Sequence, residues 1–262
     1  MSDYDRNVAG RWNPSVARSQ AAIDQGLRTY MLSVYNYMAL GLAITGAAAL
    51  GIYMLSVTTD PSLAAGRVAG GIMLTQLGYT LFVSPLKWVV MLAPLAAVFF
   101  LSFRVERMSV SAAQITFWVY AALVGVSLST IFLVYTHESI VRVFFITAAS
   151  FGALSLYGYT TQKDLSGMGS FLMMGLFGII IASLVNIFLG SSMLQFIVSV
   201  VGVLVFAGLT AYDTQRIKEM YFEGDDTAVM GKKAIMGALT LYLDFINLFM
   251  MLLQLFGNRN SN

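Results

Sequence analysis

Seven long apolar stretches dominate this chain and restrict the folds that it can adopt. A helix that crosses a lipid bilayer needs about 20 mostly apolar residues. Stretches of this kind occupy residues 29–55, 86–103, 115–135, 141–160, 170–189, 194–213 and 234–256. Because the hydrocarbon core offers no water to the backbone, such stretches satisfy their own peptide groups by forming helices. The pattern predicts an all-α membrane protein with seven transmembrane helices.

The composition supports this interpretation and excludes several classes of function. Hydrophobic residues make up 58% of the 262 residues and charged residues only 11%, whereas soluble domains carry about 25% charged residues. The absence of cysteine excludes thiolate nucleophiles and cysteine metal sites, and the single histidine, His137, excludes a multi-histidine cluster. The formal net charge of +2 and the lack of a basic run argue against nucleic acid as a partner.

The polar segments divide the chain into three parts. Residues 1–28 form a polar cytoplasmic tail, residues 29–257 the seven-helix transmembrane domain, and residues 258–262 a short carboxyl-terminal tail. Within the domain, the stretch 63–83 is less apolar because it contains Arg67, Gln76 and four glycines. We expect this stretch to be an interfacial segment, with an eighth span as the alternative.

Arginine and lysine residues are distributed unequally between the two sides of the predicted helices. If the amino terminus is cytoplasmic, the cytoplasmic segments hold eleven of these residues and the outer segments hold four. Cytoplasmic loops are normally enriched in arginine and lysine. The distribution therefore predicts a cytoplasmic amino terminus, and seven spans then place the carboxyl terminus outside.

Two aspartates, Asp213 and Asp244, lie in the sixth and seventh apolar stretches. A carboxylate inside a membrane is costly unless it is neutral, paired or beside water, so such a residue marks a candidate functional site. If the sixth helix extends to residue 222 and the seventh begins at residue 234, both aspartates lie about 14–15 Å from the inner mouth. Equal depth would allow the two carboxyl groups to meet.

A pair of carboxyl groups at one site is expected to respond to protons. Two buried like charges cannot both form without a large cost, so the pair would share one proton and hold its two helices together. Ionisation of both carboxyl groups would loosen the helices or admit a cation. Asn247, on the same helix face as Asp244, is a candidate for the same cavity. Arg104, at the end of the second stretch, is a candidate partner for Asp213.

Both assignments have a structural alternative. Arg104 could instead act as an interfacial anchor whose charged end reaches water. The two aspartates could instead be protonated groups whose hydrogen bonds pack one helix against another. Neither alternative requires that the protein pass an ion across the membrane.

Four sequence motifs resemble the Bax inhibitor-1 family, also called the transmembrane Bax-inhibitor-motif family, and its bacterial members in particular. The motifs are YAALVGVSLS (120–129), FGALSLYGYTT (151–161), GLTAYDTQ (208–215) and ALTLYLDFINL (238–248). The resemblance extends over about residues 29–257. It implies a seven-helix fold in which the last helix is central and wrapped by the other six. It also implies a location in the bacterial inner membrane.

The same resemblance implies a pH-sensitive calcium leak whose sensor is a pair of aspartates. These correspond to Asp213 and Asp244, and the family's latch arginine corresponds to Arg104. The acidic residue that family members carry in the second helix has no counterpart in residues 89–103. The resemblance therefore implies Ca²⁺ and protons as partners, the two aspartates as transient Ca²⁺ ligands, and no tightly bound cofactor.

The sequence also bears on functions other than a calcium leak. The chain has no nucleotide-binding loop and no room for a soluble ATPase domain, which argues against a primary pump. An intramembrane aspartyl protease would need Gly-x-Gly before its second aspartate, but the bulky residues Leu241, Tyr242 and Leu243 precede Asp244. We therefore expect no enzymatic activity. The remaining alternative is a non-transporting regulatory protein that binds a membrane protease or modulates a stress-response pathway.

Overall fold

The computed structural model describes residues 14–68 and 71–260, with side chains described for residues 24–68 and 71–260. Seven long helices follow one another: α1 Pro14–Ser56, α2 Leu86–Arg104, α3 Val110–Leu128, α4 His137–Thr160, α5 Ser166–Leu189, α6 Ser192–Glu219 and α7 Thr227–Phe256. Each contains a stretch that is long and apolar enough to cross a membrane. The seven predicted spans are therefore confirmed.

Several helix ends differ from the predicted bounds because polar residues continue a helix beyond its apolar part. Helix α1 begins at Pro14 and so covers half of the predicted tail, whose first thirteen residues lie outside the described part of the chain. Helix α7 begins at Thr227, where the carboxylate of Asp226 caps it by accepting a hydrogen bond from the Val229 N–H at 2.7 Å. Helix α6 ends at Glu219. The helix ends expected at residues 222 and 234 are therefore wrong.

The segment between α1 and α2 forms a small sheet followed by a short helix. Strands β1 Val57–Thr58, β2 Gly66–Arg67 and β3 Met73–Leu74 pair antiparallel in the order β1-β3-β2. The short helix Gln76–Phe82 then packs so closely on the end of α1 that a Cβ at position 78 would lie 2.2 Å from the carbonyl oxygen of Ser56. A seven-residue helix is too short to cross a bilayer. The segment is not an eighth span.

Helix α7 lies at the centre of the bundle. It packs against α1, α3, α4 and α6, whereas α2 packs mainly on α3 and α5 mainly on α6. Over an apolar stretch of 18 residues in each helix, 61% of the residues of α7 are buried, compared with 6% for α2 and 11% for α5. This burial agrees with the predicted central position of the last helix.

An aromatic cluster joins α7 to α1 and α3. The ring of Tyr242 is fully buried and meets Phe117 and Tyr120 edge-on, each with ring centroids 5.7 Å apart. The hydroxyl of Tyr242 forms a 2.6 Å hydrogen bond with Thr45 of α1. The cluster therefore holds α7 against α1 and α3.

The ends of the helices define two faces of the bundle. The amino-terminal face contains the α2–α3, α4–α5 and α6–α7 connections. The carboxyl-terminal face contains the small sheet, the α3–α4 and α5–α6 connections and residues 257–260. On that face, residues 258–260 pair with the α3–α4 connection. The Thr136 N–H donates to the Asn258 carbonyl and the Asn260 N–H donates to the Val134 carbonyl, both at 2.9 Å. Residues 258–260 of the predicted tail are thus held against the bundle.

Candidate functional site

The structure brings Asp213 of α6 and Asp244 of α7 together. Their carboxyl groups lie within hydrogen-bonding reach of each other. Both residues are buried, with 8% of Asp213 and 5% of Asp244 exposed. Helices α6 and α7 pack extensively side by side and are connected by the turn at residues 220–226. The pair therefore lies within the membrane-spanning bundle and not in a loop.

The directions of the two side chains explain how they meet. A Cβ at Gly237 of α7 would lie 2.9 Å from Cγ2 of Ile217 on α6, which places these two residues at about the same level. From that level, Asp213 lies about 6 Å along α6 and Asp244 about 10 Å along α7. Side chains lean toward the amino end of their helix, so Asp213 leans away from the turn and Asp244 leans toward it. These opposite directions bring the two carboxyl groups to nearly the same depth.

A direct contact between two carboxyl groups has a chemical requirement. An ionised carboxylate only accepts hydrogen bonds, so the contact becomes a hydrogen bond only when one oxygen carries a proton. The Oδ2 atom of Asp244 is buried, and no hydrogen-bond donor of the described residues reaches it. The geometry is therefore suited to a carboxyl pair that holds one proton between its members.

The two aspartates line a cavity of about 690 Å³, which we call the aspartate cavity. Its walls come from α2, α5, α6 and α7 and are mostly apolar. Asn247 lines the same cavity, as the sequence predicts, and its side-chain N–H donates to the Leu243 carbonyl at 2.8 Å. This bond leaves the side-chain oxygen of Asn247 as the atom that can act as a ligand.

The oxygen atoms of this site would form an incomplete calcium shell. Ca²⁺ takes 6–8 oxygen ligands in proteins, usually carboxylates with carbonyls and water. Among the described residues, no three histidine, aspartate or glutamate side chains come close enough to hold a metal ion. Two carboxylates and one amide oxygen suit a cation in passage better than a stored one.

The structure does not bring Arg104 to the aspartate pair. Arg104 lies in the last turn of the peripheral helix α2, is exposed, and is absent from the lining of the aspartate cavity. Within the described residues the ion pairs are Lys233–Asp225 and Arg142–Glu138. Arg216, one turn beyond Asp213 on α6, is exposed.

Two polar residues that follow Asp213 hold α6 in place, and the sequence reasoning assigned them no role. The Gln215 side chain accepts from the Leu165 N–H and donates to the Lys163 carbonyl, both at 2.8 Å, and so clamps the α4–α5 turn. The Thr214 hydroxyl bonds to Ser155 of α4 at 2.9 Å, and Ser155 bonds to Tyr35 of α1 at 2.7 Å. Three consecutive polar residues at the end of an apolar stretch were the available signal.

A close backbone contact also positions the helix that carries Asp213. A Cβ at Gly158 of α4 would lie 2.1 Å from the carbonyl oxygen of Ala211 on α6. Glycine is therefore required for the two backbones to approach at this level. Because Ala211 lies two residues before Asp213, this contact sets the position of the site.

Comparison with known proteins identifies the family. The family model described as "Inhibitor of apoptosis-promoting Bax1" matches residues 27–261. A protein of Rickettsia prowazekii is 48% identical over 261 residues, which cover 100% of both chains. The inner membrane protein YbhL of Escherichia coli K12 is 46% identical over 236 residues, which cover 89% of this chain and 93% of YbhL. The chain belongs to the Bax inhibitor-1 family of membrane proteins.

Proposed function

We propose that this protein is a passive, pH-gated cation pathway, suited to Ca²⁺, in which the Asp213–Asp244 pair is both the gate and the cation ligand. The observation that carries the proposal is the close approach of two buried carboxyl groups on neighbouring spans, beside a cavity of about 690 Å³. A pair built only to pack helices needs no adjoining cavity. The cavity therefore favours transport over helix packing.

The gate works through a shared proton. With one proton between them, the carboxyl groups form a hydrogen bond that holds α6 against α7. When both groups are ionised, two unit charges about 4 Å apart repel by about 4 kcal/mol at an effective dielectric of 20. This repulsion separates the helices or is relieved by a cation that enters between the carboxylates. Low pH therefore closes the pathway and high pH opens it.

The ligand set determines how tightly the cation binds. Asp213, Asp244 and the side-chain oxygen of Asn247 supply part of a Ca²⁺ shell, and water supplies the rest. A partly hydrated cation leaves such a site readily, as passage requires. The site needs no tightly bound cofactor, and it performs no enzymatic reaction.

The membrane location follows from the family and the spans. By analogy with YbhL, we propose that the protein lies in the bacterial inner membrane. We further propose, from the distribution of arginine and lysine, that its amino terminus is in the cytoplasm. The amino-terminal face is then cytoplasmic and the carboxyl-terminal face is outside. The excess of arginine and lysine on the amino-terminal side supports this orientation.

The test is Ca²⁺ flux into proteoliposomes that contain a calcium-sensitive dye, measured between pH 5 and pH 8. We expect flux through the wild-type protein to rise with pH. The double variant Asp213→Asn, Asp244→Asn lacks ionisable groups at the gate and should lose this pH dependence. The matched control is Glu219→Gln, which neutralises an exposed carboxylate on the same helix and should leave the profile unchanged.

Two results would contradict the proposal. One is an unchanged pH profile in a folded double variant, which would remove the pair from the gating mechanism. The other is the absence of calcium flux through the wild-type protein at every pH, combined with a double variant that restores the phenotype of cells lacking the protein as fully as the wild type does. That combination would favour a regulatory protein that acts through a membrane protease or a stress-response pathway.

A further inference from the structure

A second cavity lies between α5, α6 and α7 at the carboxyl-terminal face. Its volume is about 360 Å³, and four of its seven lining residues have polar side chains. We call this cavity the polar vestibule and define it by those four residues: Ser183, Asn186, Gln195 and Gln254. Polar amides are unusual in apolar spans, so their concentration at one place needs a physical explanation.

Hydrogen bonds within the protein hold the amide side chains of Asn186 and Gln254 and leave that of Gln195 without a protein partner among the described residues. The Ser199 hydroxyl donates to the side-chain oxygen of Gln254 at 2.8 Å, and the Ser191 N–H donates to that of Asn186 at 2.9 Å. The Gln195 side chain makes no hydrogen bond to any other described residue. Gln195 lies in the first turn of α6 and is only partly buried. Since a polar group without a protein partner takes its hydrogen bonds from water, water in the vestibule is the partner that remains.

The polar vestibule adjoins the aspartate cavity. Ser183 and Ile187, one turn apart on α5, line both cavities. Gln254 lies ten residues after Asp244 on α7, a distance of about 15 Å. Met251 lines the part between them and packs on α6, where a Cβ at Gly202 would lie 2.8 Å from its sulfur. A continuous strip of cavity-lining residues therefore connects the carboxyl-terminal face to the aspartate pair.

The opposite side of the pair is closed by direct packing. A Cβ at Gly237 of α7 would lie 2.9 Å from Cγ2 of Ile217, so α6 and α7 touch at this level. Closer to the amino-terminal face, Lys233 pairs with Asp225 at 2.5 Å and with the Met220 carbonyl at 2.9 Å. Between α6 and α7, the pair is therefore closed toward the amino-terminal face.

We infer that the polar vestibule is a water-filled entrance through which hydrated cations reach the aspartate pair from the carboxyl-terminal face. The inference rests on the proposed cation function. It adds the route that the cations take and the face of the bundle from which they enter. The amide oxygens of Gln195 and Gln254 replace part of the hydration shell at the mouth, and the charge of the aspartates favours cations further in. A lipid acyl chain is the competing occupant, because the aspartate cavity is mostly apolar.

The absence of cysteine from the chain allows a direct test by single-cysteine labelling. The variants Gln254→Cys and Ser183→Cys are reconstituted and exposed, from one side at a time, to membrane-impermeant cationic or anionic methanethiosulfonate reagents. The matched control is Ile181→Cys, at a similar depth on α5, because Ile181 is 61% exposed and lines none of the cavities described. Labelling requires water at the thiol and does not depend on calcium flux.

We expect the cationic reagent to label both vestibule variants from the carboxyl-terminal side at least tenfold faster than the control. At Ser183→Cys it should also react faster than the anionic reagent. Labelling of the vestibule variants no faster than the control, as expected for a lipid-filled cavity, or only from the amino-terminal side, would overturn the inference. Labelling with the expected side and charge preference in a protein that shows no calcium flux would support the entrance and refute only the proposed transport.

Discussion

Replacing Gly158 by alanine should force α4 away from α6. The new Cβ would lie 2.1 Å from the carbonyl oxygen of Ala211, whereas close carbon–oxygen contacts in proteins lie at about 3.3 Å or more. The two helices must therefore separate by about 1.2 Å, the difference between these distances. The obstacle is backbone on both helices, so no side-chain rotation can remove it.

The cost follows from a hydrogen bond between these helices. The Ser155–Thr214 bond of 2.9 Å joins two short side chains and would lengthen to about 4 Å, beyond the usual limit. Bonds between membrane helices contribute about 0.6 kcal/mol on average and about 1.7 kcal/mol at most. Losing this bond therefore destabilises the protein by about 0.6–1.7 kcal/mol.

The matched control is Gly152→Ala on the same helix, where a new Cβ would find no atom within 4 Å. Both variants gain about 1 kcal/mol of helix propensity. The difference between their melting temperatures therefore reports the contact of the new Cβ with the Ala211 carbonyl. Thermal unfolding in detergent, followed by tryptophan fluorescence, should show Gly158→Ala melting several degrees below Gly152→Ala. If the two variants melt together, the close approach of α4 and α6 does not stabilise the fold and the reasoning is refuted.

Two further predictions concern the polar contacts around the site. Gln215→Leu preserves the size of the side chain but leaves the Leu165 N–H without its partner. We therefore expect a loss of about 1–3 kcal/mol in stability and faster hydrogen exchange at that amide. Exchange protection equal to that of the wild type would show that the clamp is dispensable. Tyr242→Phe should cost less than about 1 kcal/mol in the same melting assay, because the Thr45 hydroxyl retains its contacts with the carbonyl oxygens of Gly41 and Ala121. A larger loss would indicate that the Tyr242 hydroxyl has a role beyond this bond.

The number of spans was predictable because it depends on local properties of the chain. A stretch of about 20 apolar residues forms a helix in lipid whatever its neighbours are, since its peptide groups have no other partners. The ends of the helices were less predictable. Polar residues such as those from Thr227 onward extend α7 beyond its apolar part, and a hydropathy pattern does not register this extension.

The aspartate pair was predictable as two unusual residues, but its geometry depends on the packed helices. The expected depths relied on helix ends that are wrong, and the carboxyl groups meet because their side chains lean in opposite directions. The positions of Arg104 and Gln215 follow from which helices are neighbours. Arg104 lies on a peripheral helix, whereas Gln215 reaches the α4–α5 turn.

The membrane setting, the seven helices, the family and the two residues of the candidate site are readable from the chain alone, because each depends on composition or on a contiguous motif. Only the packed helices show that α7 is buried by its neighbours, that the two carboxyl groups face each other, and that a polar vestibule adjoins their cavity. These features join residues from separate helices. Their relative depth and rotation are set by packing, such as the contact of Gly158 with Ala211, and not by spacing along the chain.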